Sequence, residues 1–337
     1  MSVVPIRELV PGASVQHVLL VEERSERKAK NGDPFWVITL RDHSGAIKTS
    51  PVWFNQASWV EGVQKGAVVQ AIGTVDRYNN DRQLVLGAPL HVLPSSEVPV
   101  ERFLPSVPES QREKLWARLD QMVGELAHPG LRGAVELFFR DDAFRVRFER
   151  TPGAVRGHHA KVGGLLRHVW EVAYIGKAMA TAMRANADLV VAGALLHDIG
   201  KTETYTVDAR GFDYDPRNAL IGHVVLGALL FTSRVDAARA AGTLVLHDAQ
   251  VVELQHLILS HHGSLEFGSP VQPASTEAEL LHWADETSAK GDAMNEALDD
   301  ADLFPDGGAV SSKRSWQLDR KVWRRPAGLW AVENDPQ

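Results

Sequence analysis

The stretch Leu195-Leu196-His197-Asp198-Ile199-Gly200-Lys201 decides how the rest of the chain is read. It closes an apolar run, Leu189 to Leu196, with the character of a buried helix, and ends it in an imidazole, a carboxylate, a glycine and a lysine. Imidazole and carboxylate together suit Zn, Mn, Fe or Ni. A His-Asp pair at a helix end also arises from ordinary capping, so it needs further ligands elsewhere. The chain carries its own control: His247-Asp248 lacks the following Gly-Lys and is assigned to a surface turn.

Downstream and upstream of this stretch the pattern is helical. Leu115, Trp116, Leu119, Met122, Val123 and Leu126 recur at three- and four-residue steps on one face. Leu131–Phe139 and Asp141–Glu149 follow as shorter helices, then Gly164–Met183, Asp188–His197, Ala219–Thr232, Val251–His262 and Thr276–Leu298. Thr276-Glu277-Ala278-Glu279 has the form of a capping box and places the start of the last helix. An all-α bundle is expected from residue 111 to 304.

Before it, the period is two. Val15–Val21, Phe35–Leu40, Ile47–Phe54, Val68–Val75 and Gln83–Leu93 are rich in β-branched and aromatic residues and are separated by turn sequences such as Asn31-Gly32-Asp33-Pro34. A helical piece near Gln56–Val63 falls between the third and fourth strands, the order an OB-fold requires. A generic barrel without a ligand fits the same spacing. Pro94, Pro99, Pro105 and Pro108 mark a linker over 96–110. The expected organisation is therefore multidomain α+β: a barrel over 1–95, the linker, the helical bundle, and a tail over 305–337 that interleaves Lys and Arg with Trp316, Trp323 and Trp330.

Composition sets the outer limits. At 337 residues, with 44% hydrophobic and 23% charged, the chain is globular and long enough for two cores. It has no cysteine, which excludes thiolate nucleophiles, disulfides and cysteine-ligated metal sites, and leaves N and O donors. The net charge of −7 argues against coating nucleic acid by bulk positive charge but permits a local basic channel. No secretory signal pattern opens the chain and no apolar run approaches about 18 residues. A cytoplasmic location without membrane association is expected.

Ten of the 14 histidines fall between His158 and His282. His168 lies among Leu165, Leu166, Val169 and Val172; His223 begins an apolar run; His261-His262 end another; Asp285 stands one turn after Leu281. Each alone is explained by a satisfied core or surface residue. Together they place inward-facing ligands on separate helices of one bundle, the way such bundles build metal sites.

From His158-His159 through Gly163-Gly164-Leu165-Leu166, His168, Leu196 to Lys201, Gly222-His223, Leu259-Ser260-His261-His262-Gly263 and Ala284-Asp285, the segment resembles an HD-domain phosphohydrolase. With the OB-like barrel ahead of it, the chain is similar to the YhaM-type exoribonucleases over residues 10–300, and the run from Ser260 to Pro270 is the most specific part.

The resemblance implies a metal-dependent 3′→5′ exonuclease acting on single-stranded RNA, with single-stranded DNA as a further substrate, and releasing nucleoside 5′-monophosphates. It implies one or two divalent ions, Mn first, with Fe, Ni, Zn, Co and Mg as alternatives. His168, His197, Asp198 and Asp285 would hold one ion. Asp198 would bridge to a second on His223, His261 and His262, with hydroxide as nucleophile. Lys201 is expected to neutralise a phosphate oxygen, and His158, His159 and Lys161 to contact the scissile phosphate or protonate the leaving oxygen. Trp36, Trp53, Phe54 and Tyr78 are the expected stacking platforms in the barrel. Rival readings are an HD phosphohydrolase of a small nucleotide or cyclic dinucleotide, and a non-catalytic nucleic-acid-binding protein. The oligomeric state, a homo-oligomer included, is left open by the sequence.

Overall fold

Strand β1 (Ser14–Lys28) is the element that closes the N-terminal sheet, because it is long enough to serve two neighbours. Its first half pairs antiparallel with β5 (Val68–Tyr78) and its second half with β2 (Pro34–Asp42), and a register shift between Val21 and Glu23 marks the passage from one to the other. Bulges bend a strand and raise its twist, which is what closing a small barrel requires. From β2 the sheet continues through β3 (Gly45–Thr49), which pairs parallel with β6 (Asp81–Leu86), and β6 returns antiparallel to β5. The result is a closed five-stranded, OB-like barrel. Two short strands, β4 (Val52–Trp53) and β7 (His91–Leu93), extend β2 and β5.

The structure, a computed structural model, describes residues 4–79 and 81–330. The expected runs Ile47–Phe54 and Gln83–Leu93 are each split in two, and the helical piece between third and fourth strands is a 3₁₀ segment, Phe54–Val60. Alternate residues Val15, Leu19, Val21, Ile38, Leu40, Val69, Ala71 and Leu84 fill the barrel interior.

The chain divides into two compact units, the first running to Ser106 and taking in Thr206–Asp213, the second comprising Val107–Tyr205 and the chain from Tyr214 onward. The proline-rich segment is not a free linker. Phe103 is fully buried with Leu20, Val68 and Ala209 in the first unit, and Val107 belongs to the core of the second.

The second unit contains helices α1 (Glu109–Glu125), α2 (Pro129–Phe139), α3 (Asp142–Arg150), α4 (Gly164–Met183) and α5 (Ala187–Leu196), then a short α6 (Lys201–Thr204). A two-stranded hairpin, β8 (Tyr205–Asp208) and β9 (Gly211–Tyr214), interrupts what the sequence pattern presents as purely helical. The set closes with α7 (Pro216–Leu220), α8 (His223–Ala240), α9 (Asp248–Ser260) and α10 (Thr276–Asp299). The apolar run from Ala219 is thus broken at Gly222. The cap of α10 is Ser275, which accepts from the Ala278 amide, one residue ahead of the expected box. His247 caps α9 together with Gln250, so the second His-Asp pair is a helix start.

Helix α5 is apolar all round, and all eight residues from Leu189 to Leu196 are buried. Such a helix belongs at the centre of a bundle. Asn186 starts it by accepting from the Leu189 amide. Gly200 ends the turn that follows, and a Cβ there would lie 2.0 Å from the His223 carbonyl oxygen and 2.6 Å from the Gly227 amide. That backbone contact fixes the start of α8 against the end of α5.

Candidate metal centre

Seven side chains expected from the sequence meet in one place in the second unit. His168 comes from the first turns of α4, His197 and Asp198 from the end of α5, His223 from the first position of α8, His261 and His262 from the end of α9, and Asp285 from the middle of α10. In His168, His197 and Asp198 one donor atom of each lies within 4.8 Å of the others, and the same holds for His223, His261 and His262, and for His197, His261 and Asp285.

On one side, His168 Nε2 is 3.0 Å from Asp285 Oδ1 and 3.5 Å from Asp198 Oδ2, while His197 Nε2 is 3.3 Å from Asp198 Oδ2. On the other, Asp198 Oδ1 is 3.5 Å from His223 Nε2 and 3.7 Å from His261 Nε2. The two oxygens of Asp198 therefore face the two groups separately, as a bridging carboxylate does.

The surroundings fix the tautomers. His197 and His261 each place Nδ1 2.7 Å from the carbonyl oxygen three residues back, Ala194 and Ile258. Carbonyls only accept, so Nδ1 carries a proton and Nε2 is the ring nitrogen turned inward. His168 Nδ1 is 3.0 Å from Ser288 Oγ, which in turn donates to Glu171 Oε2 at 2.8 Å. The Nε2 atoms of His168 and His197 lie 3.3 Å apart.

These atoms fit a cation. His261 Nε2 and Asp198 Oδ1 are buried without a hydrogen-bond partner among the described residues. Buried acceptors of this kind cost free energy unless something electropositive stands between them. Burial, followed by the charge on His197, pushes His261 down to about 3; His223 is also held at about 3 by burial. His262 follows at about 3, through burial and then His261. The rings are neutral at neutral pH, the form a metal requires. Burial works to raise Asp198 and Asp285, but Lys201 and His197 outweigh it for Asp198, and His168 for Asp285, so both stay ionised. Nitrogen and carboxylate donors without sulfur suit first-row divalent ions.

Lys201 does not reach outward to a substrate phosphate as expected. It is 6% exposed, with Nζ 2.6 Å from Asp198 Oδ2 and 2.7 Å from the Gly153 carbonyl oxygen. Burial acts to lower its pKa, and Asp198 reverses this and raises it. Its ammonium holds the Asp198 carboxylate in place. His159, the other expected substrate contact, is also internal. It is fully buried, its amide donates to Asp292 Oδ2 at 2.6 Å, and its Nε2 lies 3.3 Å from both Glu171 Oε2 and Ser288 Oγ. Lys161 is turned toward Asp292 Oδ1 at 3.6 Å. His158, like Lys161, is half-buried. Burial, then His168 and Lys201, push it down to about 4.

Glu171, Ser288 and Asp292 were not singled out from the sequence. Asp285, Ser288 and Asp292 recur on α10 at steps of three and four, a polar stripe on a buried face, and that spacing is the signal that exposes them. Burial tends to raise Glu171, yet His159, Arg167 and Ser288 bring it down to about 2.

In the barrel, Trp36 is 8% exposed and donates its indole N–H to Glu26, so it is core and not a stacking platform. Trp53, Phe54 and Tyr78 are 49%, 60% and 65% exposed. No helix among the described residues is long and apolar enough to cross a membrane.

A family model described as the HD domain matches residues 165–290. The chain is 31% identical over 289 residues to a Bacillus subtilis (strain 168) protein named 3′-5′ exoribonuclease YhaM, covering 86% of this chain and 88% of that one. A Bacillus licheniformis protein of the same name is 32% identical over 302 residues, with the same coverage. A solved HD domain of the L. monocytogenes phosphodiesterase PgpH aligns with 40% of this chain and 73% of that one at 19% identity and a TM-score of 0.27, a likeness too slight to carry over.

Proposed function

This chain belongs to the family of the 3′-5′ exoribonuclease YhaM, and from that membership and its metal centre we propose that it shortens single-stranded RNA from the 3′ end. The observation that supports the reading is the convergence of His168, His197, Asp198, His223, His261, His262 and Asp285, in which two buried acceptors, His261 Nε2 and Asp198 Oδ1, have no hydrogen-bond partner among the described residues. Water adds at the terminal phosphorus, the P–O3′ bond breaks, a nucleoside 5′-monophosphate departs, and the shortened strand keeps a 3′-hydroxyl.

A bound divalent ion, Mn²⁺ in the first instance, supplies Lewis acidity and makes water a nucleophile near neutral pH. His168, His197, Asp198 and Asp285 would hold one ion, and Asp198 with His223, His261 and His262 a second. Lys201 orients Asp198 by its 2.6 Å ion pair. Ser288 and Glu171 orient His168. His158, neutral at neutral pH and half-buried, supplies an N–H to a nonbridging phosphate oxygen. Trp53, Phe54 and Tyr78 offer the barrel's exposed rings to unstacked bases.

Oligonucleotides of RNA and DNA blocked at either end, assayed with Mn²⁺, Mg²⁺, Ni²⁺ and Zn²⁺, test this directly. A 3′ block should stop release of monophosphates and a 5′ block should not. Asp198→Ala should abolish hydrolysis while strand binding persists. Stepwise release from the 5′ end, or turnover retained by metal-depleted Asp198→Ala protein, refutes it.

A further inference from the structure

The segment after α10 is the part of the second unit that the metal chemistry leaves unused. It is folded onto its domain. Val310 and Trp323 form one antiparallel bridge and Ser315 and Arg320 another. Leu303, Phe304 and Val322 are buried against Ala297, and the Arg324 guanidinium lies 3.9 Å from the centre of the Phe304 ring. Gln317 donates to Glu296 Oε2 on α10 at 2.9 Å.

The outer side of this hairpin is aromatic and basic. Trp316 is 74% exposed and Trp323 50%, and Lys313, Arg314, Arg320 and Lys321 around them are exposed too. From Lys313 to Arg325 the chain has six cations and one acid, Asp319, in a protein whose net charge is −7. Arg314 shares Asp319 at 3.3 Å.

The position of Trp316 is what gives this surface a use. Gly157, at φ +88°, has no room for a side chain: a Cβ there would fall 2.8 Å from Gln317 Oε1 and 3.3 Å from Trp316 Cη2. The hairpin tip thus lies against the residue that precedes His158. From there the rings run inward, His158 to His159 at 6.1 Å between centroids and His159 to the metal-facing His168 at 5.3 Å.

We propose that this hairpin is a strand-holding surface beside the metal centre, on which Trp316 stacks a base of single-stranded RNA while Lys313, Arg320 and Lys321 follow its phosphates. An exposed indole ringed by cations is the combination that binds single strands without reading their sequence. The inference rests on the exoribonuclease function proposed above, and it names residues outside the barrel as part of substrate binding.

The test uses full-length protein with Mn²⁺ and three substrates: an oligoribonucleotide, a diribonucleotide, and bis(p-nitrophenyl) phosphate, a diester with no strand to hold. Trp316→Ala should raise KM for the oligomer about tenfold, the loss of one base stack, with kcat within about twofold. The dinucleotide and the small diester should be unaffected, and Trp316→Phe should restore most of the oligomer KM. An unchanged oligomer KM overturns the inference, as does an equal loss on all three substrates, which would mean that Trp316 only supports the fold. Wild-type protein that hydrolyses the small diester but leaves RNA intact overturns the exoribonuclease function itself.

Discussion

Replacing Ser288 by alanine should weaken metal binding and leave the metal-free protein nearly as stable as before. Ser288 is 3% exposed, and its Oγ joins three groups: it donates to Glu171 Oε2 at 2.8 Å and stands 3.0 Å from His168 Nδ1 and 3.3 Å from His159 Nε2. Without the hydroxyl, Glu171 keeps Arg167 at 2.8 Å and His159 at 3.3 Å, so its charge stays compensated. His168 is affected differently in the two states. In metal-free protein its proton can move to Nε2 and be donated to Asp285 Oδ1, 3.0 Å away, so no donor is stranded. With an ion on Nε2 the proton must stay on Nδ1, where it has lost its acceptor, at a cost of about 1–3 kcal/mol. The loss therefore falls on the metal complex and corresponds to affinity reduced about 10- to 100-fold, the usual range for partners of ligating histidines. Competition against a chromophoric chelator measures the affinity, and thermal melts with and without chelator measure stability. Ser288→Thr should recover most of the loss. Wild-type metal affinity in Ser288→Ala, or an equal drop in melting temperature with and without metal, refutes the relay.

Lys201→Met should destabilise the metal-free protein by about 3 kcal/mol, because it removes the nearest charge partner of the buried Asp198 carboxylate and leaves only the histidines, and much less with Mn²⁺ bound, since the cation takes over that charge. Melting with chelator and with Mn²⁺ checks this, and equal losses in both would refute it. Metal-free protein should also lose stability as the pH falls. His223, His261 and His262 protonate near 6.5 when unfolded and about 3 when folded, so in between the unfolded chain takes up protons the native state does not. Stability is then complete above 6.5 and declines below it, by up to about 1.4 kcal/mol per pH unit for each ring, with His197, whose pKa is raised against the effect of burial chiefly by Asp198, working in the opposite direction. Urea melts from neutral to mildly acidic pH read the slope; a flat or rising profile contradicts it.

The convergence of the seven side chains was legible because five of them end or begin an apolar helical run, because His168 and Asp285 follow apolar residues on their helices, and because their order matches a known family. The roles of His159 and Lys161 were not, since they depend on what packs across from them, whereas Lys201 is paired with Asp198 only three residues back. Asp292 and Glu171 hold the His159 and Lys161 side chains inward, and no local pattern around positions 159 to 161 announces a partner some 130 residues away. Other misreadings had available signals. Trp36 shares the inward face of β2 with Ile38 and Leu40 at period two, which marks it as core. The hairpin from Tyr205 to Tyr214 is announced by Tyr-Thr-Val and Phe-Asp-Tyr on either side of Arg210-Gly211, and was hidden only by the helices flanking it. The barrel was readable in strand count and order, but the parallel pairing of β3 with β6 is a tertiary fact.

The histidines that donate back to Ala194 and Ile258 have one more effect. Helices α5 and α9 both finish at the centre, and a helix C-terminus carries roughly half a negative charge from its unpaired carbonyls. Two such ends aimed at one point add about the charge of another carboxylate, supplied by main chain and beyond the reach of side-chain substitution. The main chain thus adds to the pull of the carboxylates on a cation, and a variant stripped of one histidine should still attract cations there, although it would no longer hold them in a geometry useful for hydrolysis.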